Sequence, residues 1–188
     1  NAIAIGPGMG KNPDIQSIVK KLIEEAQVPL IIDADGLNAI GERAEAFFKG
    51  DKSIVITPHP GEMSRLTGLD ISQINENRID IAREYSKKWG TIVILKGART
   101  VVAIPDGKVY LNITGNPGMA AAGSGDVLTG ILSSFVSQGF SVDKAAIAAV
   151  FIHGRAGDMM AEKFGEYGLI AGDMADGVGL AIKDLLES

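Results

Sequence analysis

Four short apolar runs, each followed by a glycine-rich or polar segment and then by a helical pattern, constrain the fold of this chain more than any other feature. The runs cover residues 2–5, 28–32, 53–57 and 91–95. Strands that alternate with helices predict a mostly parallel sheet with helices on both faces. Two further runs, 100–104 and 108–113, flank a Pro-Asp-Gly turn and predict a β-hairpin. We therefore expect a three-layer α/β fold, in which a mostly parallel central sheet carries a β-hairpin and lies between two layers of helices.

Apolar residues that recur every three or four positions predict the helices. They mark one helix around residues 15–23, one after Asn38 that reaches about Lys49, and others over 60–66, 71–88, from about 125 onward, 142–164 and 173–186. His153 and Arg155 fall on the helix 142–164, and we interpret both as structural.

The composition fits one domain. A chain of 188 residues with 46% hydrophobic residues can bury a substantial core, and no linker or internal repeat divides residues 1–188. We expect a single domain over residues 1–188. Because residues 2–5 begin the sequence as a strand already in progress, we also expect its first β and α elements to be missing here.

Composition also excludes classes of function. The chain has no cysteine, which rules out disulfides and thiolate metal sites and suits a cytoplasmic protein. Its net charge of −5, without a stripe of Lys and Arg, argues against a nucleic-acid partner. The longest mainly apolar run, 145–152, is too short to span a bilayer, so we expect no membrane partner.

The segment 115–130 places a loop of small residues directly before an apolar helix, a pattern typical of anion binding. The helix is expected to begin near Gly125 or Asp126, with its first N–H groups pointing into the loop. The helix dipole favours an anion there, and Gly123 and Gly125 have no Cβ to keep a phosphate from the backbone. Asp126 either stabilises the helix start or accepts a proton beside the anion.

Four other segments follow predicted strands, and each has both a functional and a structural interpretation. The glycine loop 6–10 is either a ligand loop or a tight turn. The acids and the asparagine of 33–38 hold a metal, bind hydroxyl groups or cap a helix. His59, held extended between two prolines, is either a functional side chain or a hydrogen-bonded structural one. The basic segment 96–100 either binds phosphate or ribose or forms an ordinary turn.

These five segments are expected to meet, because ligands of parallel α/β sheets bind at the carboxyl ends of the strands. Together they offer phosphate binding and one carboxylate placed as a base. They offer no nucleophilic thiol and no strong cluster for a transition metal. The sequence therefore predicts a cleft suited to phosphoryl chemistry.

The segment Gly123-Ser124-Gly125-Asp126 resembles the Gly-x-Gly-Asp anion-hole motif of the ribokinase-like superfamily. In that superfamily the glycine amides stabilise the transferring phosphoryl group and the Asp deprotonates the acceptor hydroxyl. The fuller set of motifs resembles one branch, the ADP/ATP-dependent NAD(P)H-hydrate dehydratases. These motifs are Gly6-Pro7-Gly8-Met9-Gly10, Asp33-Ala34-Asp35, Thr57 to Met63, Lys96-Gly97-Ala98-Arg99-Thr100 and Gly115 to Asp126.

The resemblance covers nearly the whole chain and implies a lyase that repairs hydrated NADH or NADPH. A nucleoside phosphate phosphorylates the abnormal hydroxyl, and phosphate then leaves to restore the dihydronicotinamide. Bacterial members generally use ADP and yield AMP, with ATP as the other co-substrate of the family. Mg²⁺ is expected because phosphoryl transfer needs its charge neutralised. The resemblance also suggests a homo-oligomer, a tetramer, fused to or paired with an epimerase domain.

Carried over by position, the resemblance assigns roles to residues of this sequence. Asp126 would be the catalytic base, and Gly123 and Gly125 would form the anion hole. Substrate contacts are assigned to Gly8, Asp35, Asn38, His59 and Asp126. Nucleotide contacts are assigned to Lys96, Gly97, Ala98, Arg99, Thr100 and Gly125. The metal ligands are not assigned, with Glu62 named as a water-mediated partner.

Two alternatives remain open from the sequence. A small-molecule kinase of the same superfamily, of the hydroxyethylthiazole or hydroxymethylpyrimidine type, would share Asp126 and the anion hole but gives no reason for the segment around His59. A nucleotide-binding sensor without catalysis would bind nucleotide and never turn over.

Overall fold

The computed structural model describes residues 1–10, 12–48 and 53–187, and these form a single sheet between two layers of helices. The strands are β1 (Ile3–Ile5), β2 (Leu30–Ile32), β3 (Ile54–Ile56), β4 (Ile92–Leu95), β5 (Val101–Ala103) and β6 (Val109–Leu111). They lie in the order β1-β2-β3-β4-β5-β6. β1 to β4 are parallel, and β5 and β6 continue the sheet as an antiparallel hairpin. The predicted three-layer α/β architecture is confirmed.

The helices of the described residues follow the chain in sequence between and after the strands. They are α1 (Pro13–Glu25), α2 (Ala34–Ile40), α3 (Ala44–Phe47), α4 (Pro60–Thr67), α5 (Ile71–Glu76), α6 (Arg78–Trp89), α7 (Ser124–Ser137), α8 (Val142–Phe164) and α9 (Ala171–Glu187). None of these described helices is long and apolar enough to cross a membrane.

Alternate residues of each central strand face opposite layers, as the two-residue repeat of a strand requires. Leu30 and Ile32 of β2 pack with α1, α2, α4 and α6 on one face of the sheet. Ile31 of the same strand packs with α7, α8 and α9 on the other. Both faces are therefore covered by apolar core, which explains why the parallel strands are continuous apolar runs.

Two predicted helices are interrupted in the structure. The helix expected to run from Asn38 to about Lys49 is instead α2, a 3-10 turn and α3, because Gly41 adopts a left-handed conformation with φ 53°. Lys49 itself lies outside the described residues. The helix expected over 71–88 is α5 and α6, separated at Asn77, where φ is −124° and ψ is 35°. The single-helix predictions were wrong at both places.

Candidate active site

Hydrogen bonds connect the five predicted segments at the carboxyl ends of β1 to β4. The Gly10 N–H donates to Asp35 Oδ2 (2.8 Å), joining the first loop to the second. The Lys96 N–H donates to the Pro58 carbonyl (2.8 Å), joining the loop after β4 to the loop after β3. The Thr129 hydroxyl of α7 donates to Asp33 Oδ2 (2.9 Å). The expectation that these segments share one edge of the sheet is met.

A buried ion pair lies at the centre of this edge. Lys96 Nζ lies 2.7 Å from Asp33 Oδ1, and the Asp33 side chain is 1% exposed. Glu62, also buried, places Oε2 3.8 Å from the same ammonium group. Asp33 makes no side-chain capping bond to α2, so for this residue the capping interpretation was wrong. Its carboxylate instead connects β2 to β4 and α7.

Ala34 separates the two acids of this motif. It has φ 47°, a left-handed conformation that is uncommon for a residue with a Cβ. Asp35 accepts from Gly10 N–H and from Asn38 Nδ2 (3.3 Å), while Asn38 Oδ1 accepts from Arg65 Nε (3.0 Å). Asp35 and Asn38, predicted to bind substrate, thus form a polar surface group that ties the first loop to α2 and α4.

His59 caps the helix α4. Its Nδ1 accepts from the N–H groups of Gly61 (3.0 Å) and Glu62 (3.2 Å), and Glu62 Oε2 accepts from the His59 N–H (2.8 Å). This reciprocal arrangement is a capping box. His59 therefore has the hydrogen-bonded structural role that was one of its two interpretations from the sequence. Its side chain is nevertheless 51% exposed, and although Nε2 lies 3.5 Å from Glu62 Oε1, the ring is partly open to solvent at the same edge of the sheet.

The helix α7 begins at Ser124, one or two residues earlier than the sequence indicates, and Gly123 precedes it with φ 87°. The Ser124 N–H donates to Ala121 O (3.2 Å) and the Asp126 N–H to Gly123 O (3.0 Å). Among the described residues, the N–H groups of Gly123 and Gly125 have no acceptor. Two backbone donors are thus available to an anion at this helix start.

Asp126 and Lys96 are the charged residues that belong to or approach this helix start. Asp126 is exposed, and its carboxylate has no hydrogen-bond or ion-pair partner among the described residues. A Cβ placed on Gly125 would lie 3.3 Å from Lys96 Nζ and 3.7 Å from Asp33 Oδ2, so the ion pair sits directly beside the Gly125 backbone. The helix start therefore combines free N–H donors, a nearby ammonium group and an unpaired carboxylate.

His153, which the sequence interpretation takes as structural, contacts the start of α7. Its Nε2 lies 3.3 Å from Ser124 Oγ, although it was interpreted as structural on an apolar helix. Burial lowers the pKa of His153 to about 4, a shift that a hydrogen bond with the Ser124 backbone opposes and that the charge of Lys96 increases. The sequence shows a histidine within an apolar helical stretch, but it does not show which element the ring contacts. Arg155 pairs with Asp184 (2.8 Å), in agreement with its structural interpretation.

The loop before α7 is fixed on α8. Asp158 accepts from the Gly115 N–H (2.8 Å) and from Asn116 Nδ2 (3.0 Å). The loop packs closely because α8 carries glycine at the contacts. A Cβ on Gly154 would lie 2.2 Å from Thr114 Oγ1, and one on Gly157 would lie 2.3 Å from the sulfur of a methionine in the loop. The loop therefore packs directly on the backbone of α8 at Gly154 and Gly157.

The remaining predicted nucleotide residues form the turn after β4. Gly97 has φ 145°, and a Cβ there would lie 3.0 Å from the guanidinium nitrogens of Arg78, which donate to the carbonyls of Leu95 (2.8 Å) and Lys96 (3.2 Å). Burial lowers the pKa of Arg78. Thr100 donates to Gly97 O (3.1 Å).

Ala98 and Arg99 lie on the other side of that turn from Lys96. They line a cavity of about 350 Å³ together with Arg78 and residues of α5, α6, β5 and β6. Arg99 has φ 56°. Gly8 is exposed in the first loop with φ 69°. The structure thus gathers Lys96, Gly125, Asp126 and His59 at one edge, with Ala98 and Arg99 at its margin.

Divalent cations prefer oxygen ligands, and Mg²⁺ is commonly held by one or two carboxylates and by substrate phosphates. Within residues 1–10, 12–48 and 53–187, no group of three or more His, Asp or Glu side chains is placed to hold a metal. Glu62, named from the sequence, uses its carboxylate on the His59 N–H and beside Lys96.

Comparison with known proteins gives a consistent result. The sequence model of a family described as NAD(P)H-hydrate dehydratase matches residues 1–177. The chain is 45% identical over 187 residues to the bifunctional NAD(P)H-hydrate repair enzyme Nnr of Moorella thermoacetica, covering 100% of this chain and 35% of that protein. It is 40% identical over 179 residues to the ADP-dependent (S)-NAD(P)H-hydrate dehydratase of Neisseria meningitidis serogroup B, covering 93% of this chain and 60% of that protein.

A solved structure supports the same relationship. The ADP/ATP-dependent NAD(P)H-hydrate dehydratase from Bacillus subtilis, co-crystallised with ATP and Mg²⁺, aligns with a TM-score of 0.88 and 32% identity. The alignment covers 97% of this chain and 64% of that one. The architecture is ribokinase-like, as the resemblance implied. The chain therefore spans between about a third and two thirds of the length of these similar proteins.

Proposed function

This chain belongs to the NAD(P)H-hydrate dehydratase family, and we propose that it carries the catalytic domain, over residues 1–188, of an enzyme that dehydrates hydrated NADH or NADPH. The co-substrate is ADP or ATP, whose terminal phosphoryl group is transferred to the hydrate hydroxyl. Phosphate then leaves and the dihydronicotinamide is restored. The observation that carries the proposal is the unpaired Asp126 carboxylate beside the free N–H groups of Gly123 and Gly125.

Each group at the start of α7 suits one part of this reaction. Negative charge develops on the phosphoryl oxygens, and backbone donors aimed at such charge act before the reaction begins, without reorganisation. Gly123 and Gly125 supply these donors. Lys96 places a positive charge beside them. Asp126 accepts the proton of the attacking hydroxyl, which is the task of a general base.

The other predicted residues are proposed to bind the two substrates. Lys96 to Thr100 and Gly125 contact the nucleotide, and Gly8, Asp35, Asn38 and His59 contact the hydrate. Mg²⁺, when bound, would neutralise charge on the nucleotide phosphates. Carboxylate oxygens at this edge of the sheet would contact the ion through water.

The wider setting is also a proposal. We place the enzyme in the cytoplasm, in keeping with a chain without cysteine, and as a homo-oligomer, a tetramer. The curated relative from Moorella thermoacetica is bifunctional, which supports an epimerase domain fused to or paired with this chain.

The test supplies hydrated NADH and ADP and follows the return of NADH absorbance together with AMP and phosphate. We expect equal amounts of the three products, and Asp126→Asn should abolish turnover while leaving ADP affinity within about threefold, because the residue acts on the proton and not on the nucleotide. Phosphorylation of a thiazole alcohol by ATP with no repair of the hydrate would favour the kinase alternative. Nucleotide binding with no turnover of either substrate would favour the sensor.

A further inference from the structure

Ser124 is the one side chain between the two glycines whose amides are free, and its hydroxyl is held from a different helix. Ser124 Oγ lies 3.3 Å from His153 Nε2 on α8 and 3.8 Å from the sulfur of Met174 on α9. The residues Ser124 and His153 are 29 positions apart, so this contact exists only because α8 packs along α7. The start of α7 is thereby connected to both neighbouring helices.

The histidine ring is suited to a hydrogen bond and not to carrying charge. His153 lies on a stretch of α8 whose neighbours Ile152 and Gly154 are buried. The charged group that influences it is the Lys96 ammonium, which disfavours a second positive charge. No carboxylate contacts the ring among the described residues, so it lacks the orienting acid of a catalytic triad.

The glycines on both sides of Ser124 explain why such a contact is needed. Gly123 holds φ 87°, and glycine has the greatest backbone freedom of all residues. Neither Gly123 nor Gly125 has a side chain that could fix its own peptide group. Donors stabilise a developing oxyanion only when they are held at hydrogen-bond distance from the position that it occupies. The Ser124 and Asp126 N–H groups hold part of this turn through the carbonyls of Ala121 and Gly123, and the Ser124 side chain adds an anchor on α8 and α9.

We propose that His153 is a positioning residue that, through the hydroxyl of Ser124, fixes the N–H groups of Gly123 and Gly125 toward the transferring phosphoryl group. This rests on the proposed function for its catalytic consequence. His153 itself touches neither the nucleotide nor the hydrate. Loss of the hydrogen bond between His153 and Ser124 should therefore lower kcat more than it weakens nucleotide binding.

The experiment compares Ser124→Ala, His153→Ala, the double variant and His153→Gln in this chain. Each alanine variant should lower kcat about tenfold or more while KM for ADP stays within about threefold, since small misplacements of catalytic groups slow the reaction strongly. The double variant should be no slower than the slower single variant, because both remove one shared contact. His153→Gln retains a polar atom near the position of Nε2 and should recover most of kcat.

Arg155→Ala on the same helix is the matched control, because its guanidinium pairs with Asp184 away from the site. It should leave kcat unchanged. Losses that add in the double variant, a loss confined to KM, or no recovery in His153→Gln would overturn the proposal.

A second measurement does not depend on turnover. In ¹⁵N–¹H spectra, inorganic phosphate should shift the Gly123 and Gly125 amide signals of the wild-type chain, and this response should be reduced in both alanine variants and retained in His153→Gln. Equal responses in all variants would overturn the positioning role. If the wild-type chain shows these amide shifts but never repairs the hydrate, the proposed function fails while the anchoring of the amides stands.

Discussion

Lys96 Nζ lies 2.7 Å from Asp33 Oδ1, and this ion pair is the central electrostatic contact of the site. The side chains are 19% and 1% exposed. Charges removed from water in this way stabilise a protein only as a pair, because each one alone carries an uncompensated desolvation cost. The pair also places a cation beside the Gly125 backbone. Breaking the pair should therefore change both the stability of the chain and the electrostatics of the proposed anion site.

Breaking this pair from one side should be costly. Lys96→Met leaves the buried Asp33 carboxylate with the Thr129 hydroxyl as its remaining partner, and we expect a loss of about 3 kcal/mol in the free energy of unfolding. Asp33→Asn combined with Lys96→Met removes both charges and should recover part of this loss. Urea denaturation of the wild-type chain and the two variants measures the effect.

The control for that measurement is Lys20→Met, which breaks a pair with Glu24 between side chains that are 62% and 60% exposed. Exposed pairs of this kind contribute below about 1 kcal/mol. A Lys96→Met variant no less stable than Lys20→Met would show that the buried carboxylate does not depend on the ammonium group.

Alanine at Gly125 should reduce activity without unfolding the chain. Its φ lies outside the left-handed region, so alanine fits the backbone, but the new Cβ would lie 3.3 Å from Lys96 Nζ, where we propose that the phosphoryl group approaches. The N–H of residue 125 remains, but the Cβ would keep the phosphoryl group away from it. We therefore expect kcat to fall at least about a hundredfold, the scale seen when one oxyanion donor is lost.

Gly130→Ala is the matched control on the same helix. A Cβ added at Gly130 would have no atom within 4 Å, so alanine should stabilise α7 by about 0.5–1 kcal/mol and leave activity unchanged. Gly125→Ala with wild-type turnover, or Gly130→Ala with impaired turnover, would contradict the assignment of the anion site.

The two roles of His59 can be separated by substitution. Because Nδ1 caps α4, His59→Ala should destabilise the chain by about 1 kcal/mol, whereas Asn retains a capping oxygen and should cost less. If the exposed ring binds the hydrate, both variants should raise KM for the hydrate. Thermal unfolding and steady-state kinetics distinguish these effects, and full activity in His59→Asn would leave capping as its role.

Acid should destabilise the protein partly through His153. Its pKa is lowered in the folded state from 6.5 to about 4, so the unfolded chain binds the proton more tightly. The contribution of His153 to the free energy of unfolding is fully present above about pH 6.5. It falls by up to about 3 kcal/mol as the pH is lowered toward 4. His153→Gln should show a shallower dependence of the free energy of unfolding on pH in this range. Parallel curves for the two proteins would refute this.

The sequence was sufficient to predict the sheet and several helices because these depend on local patterns. Apolar runs identified the parallel strands, and the Pro-Asp-Gly turn identified the β5–β6 hairpin. α8 has the predicted bounds, Val142–Phe164, because its apolar repeat is uninterrupted. The break at Asn77 was missed because the apolar periodicity of 71–88 continues across it.

Contacts between distant parts of the chain could not be predicted in this way. Asp33 and Lys96 are 63 residues apart, and Asp33 and Thr129 are 96 apart. No local pattern indicates which of several roles an acid at a strand end will take. The contact between His153 and Ser124 could not be predicted for the same reason, since it becomes visible only when the packing of α7 against α8 is known.

The left-handed Ala34 divides one short motif into two independent parts. A regular strand or helix would relate the side chains of Asp33 and Asp35 by a fixed repeat, but the turn at Ala34 sends the first carboxylate into the protein interior and leaves the second at the surface loop. The inner acid pairs with Lys96 beside the start of α7, and the outer acid holds the first loop through the Gly10 N–H. A substitution at Asp35 can therefore alter the first loop while the buried pair of Asp33 and Lys96 stays in place.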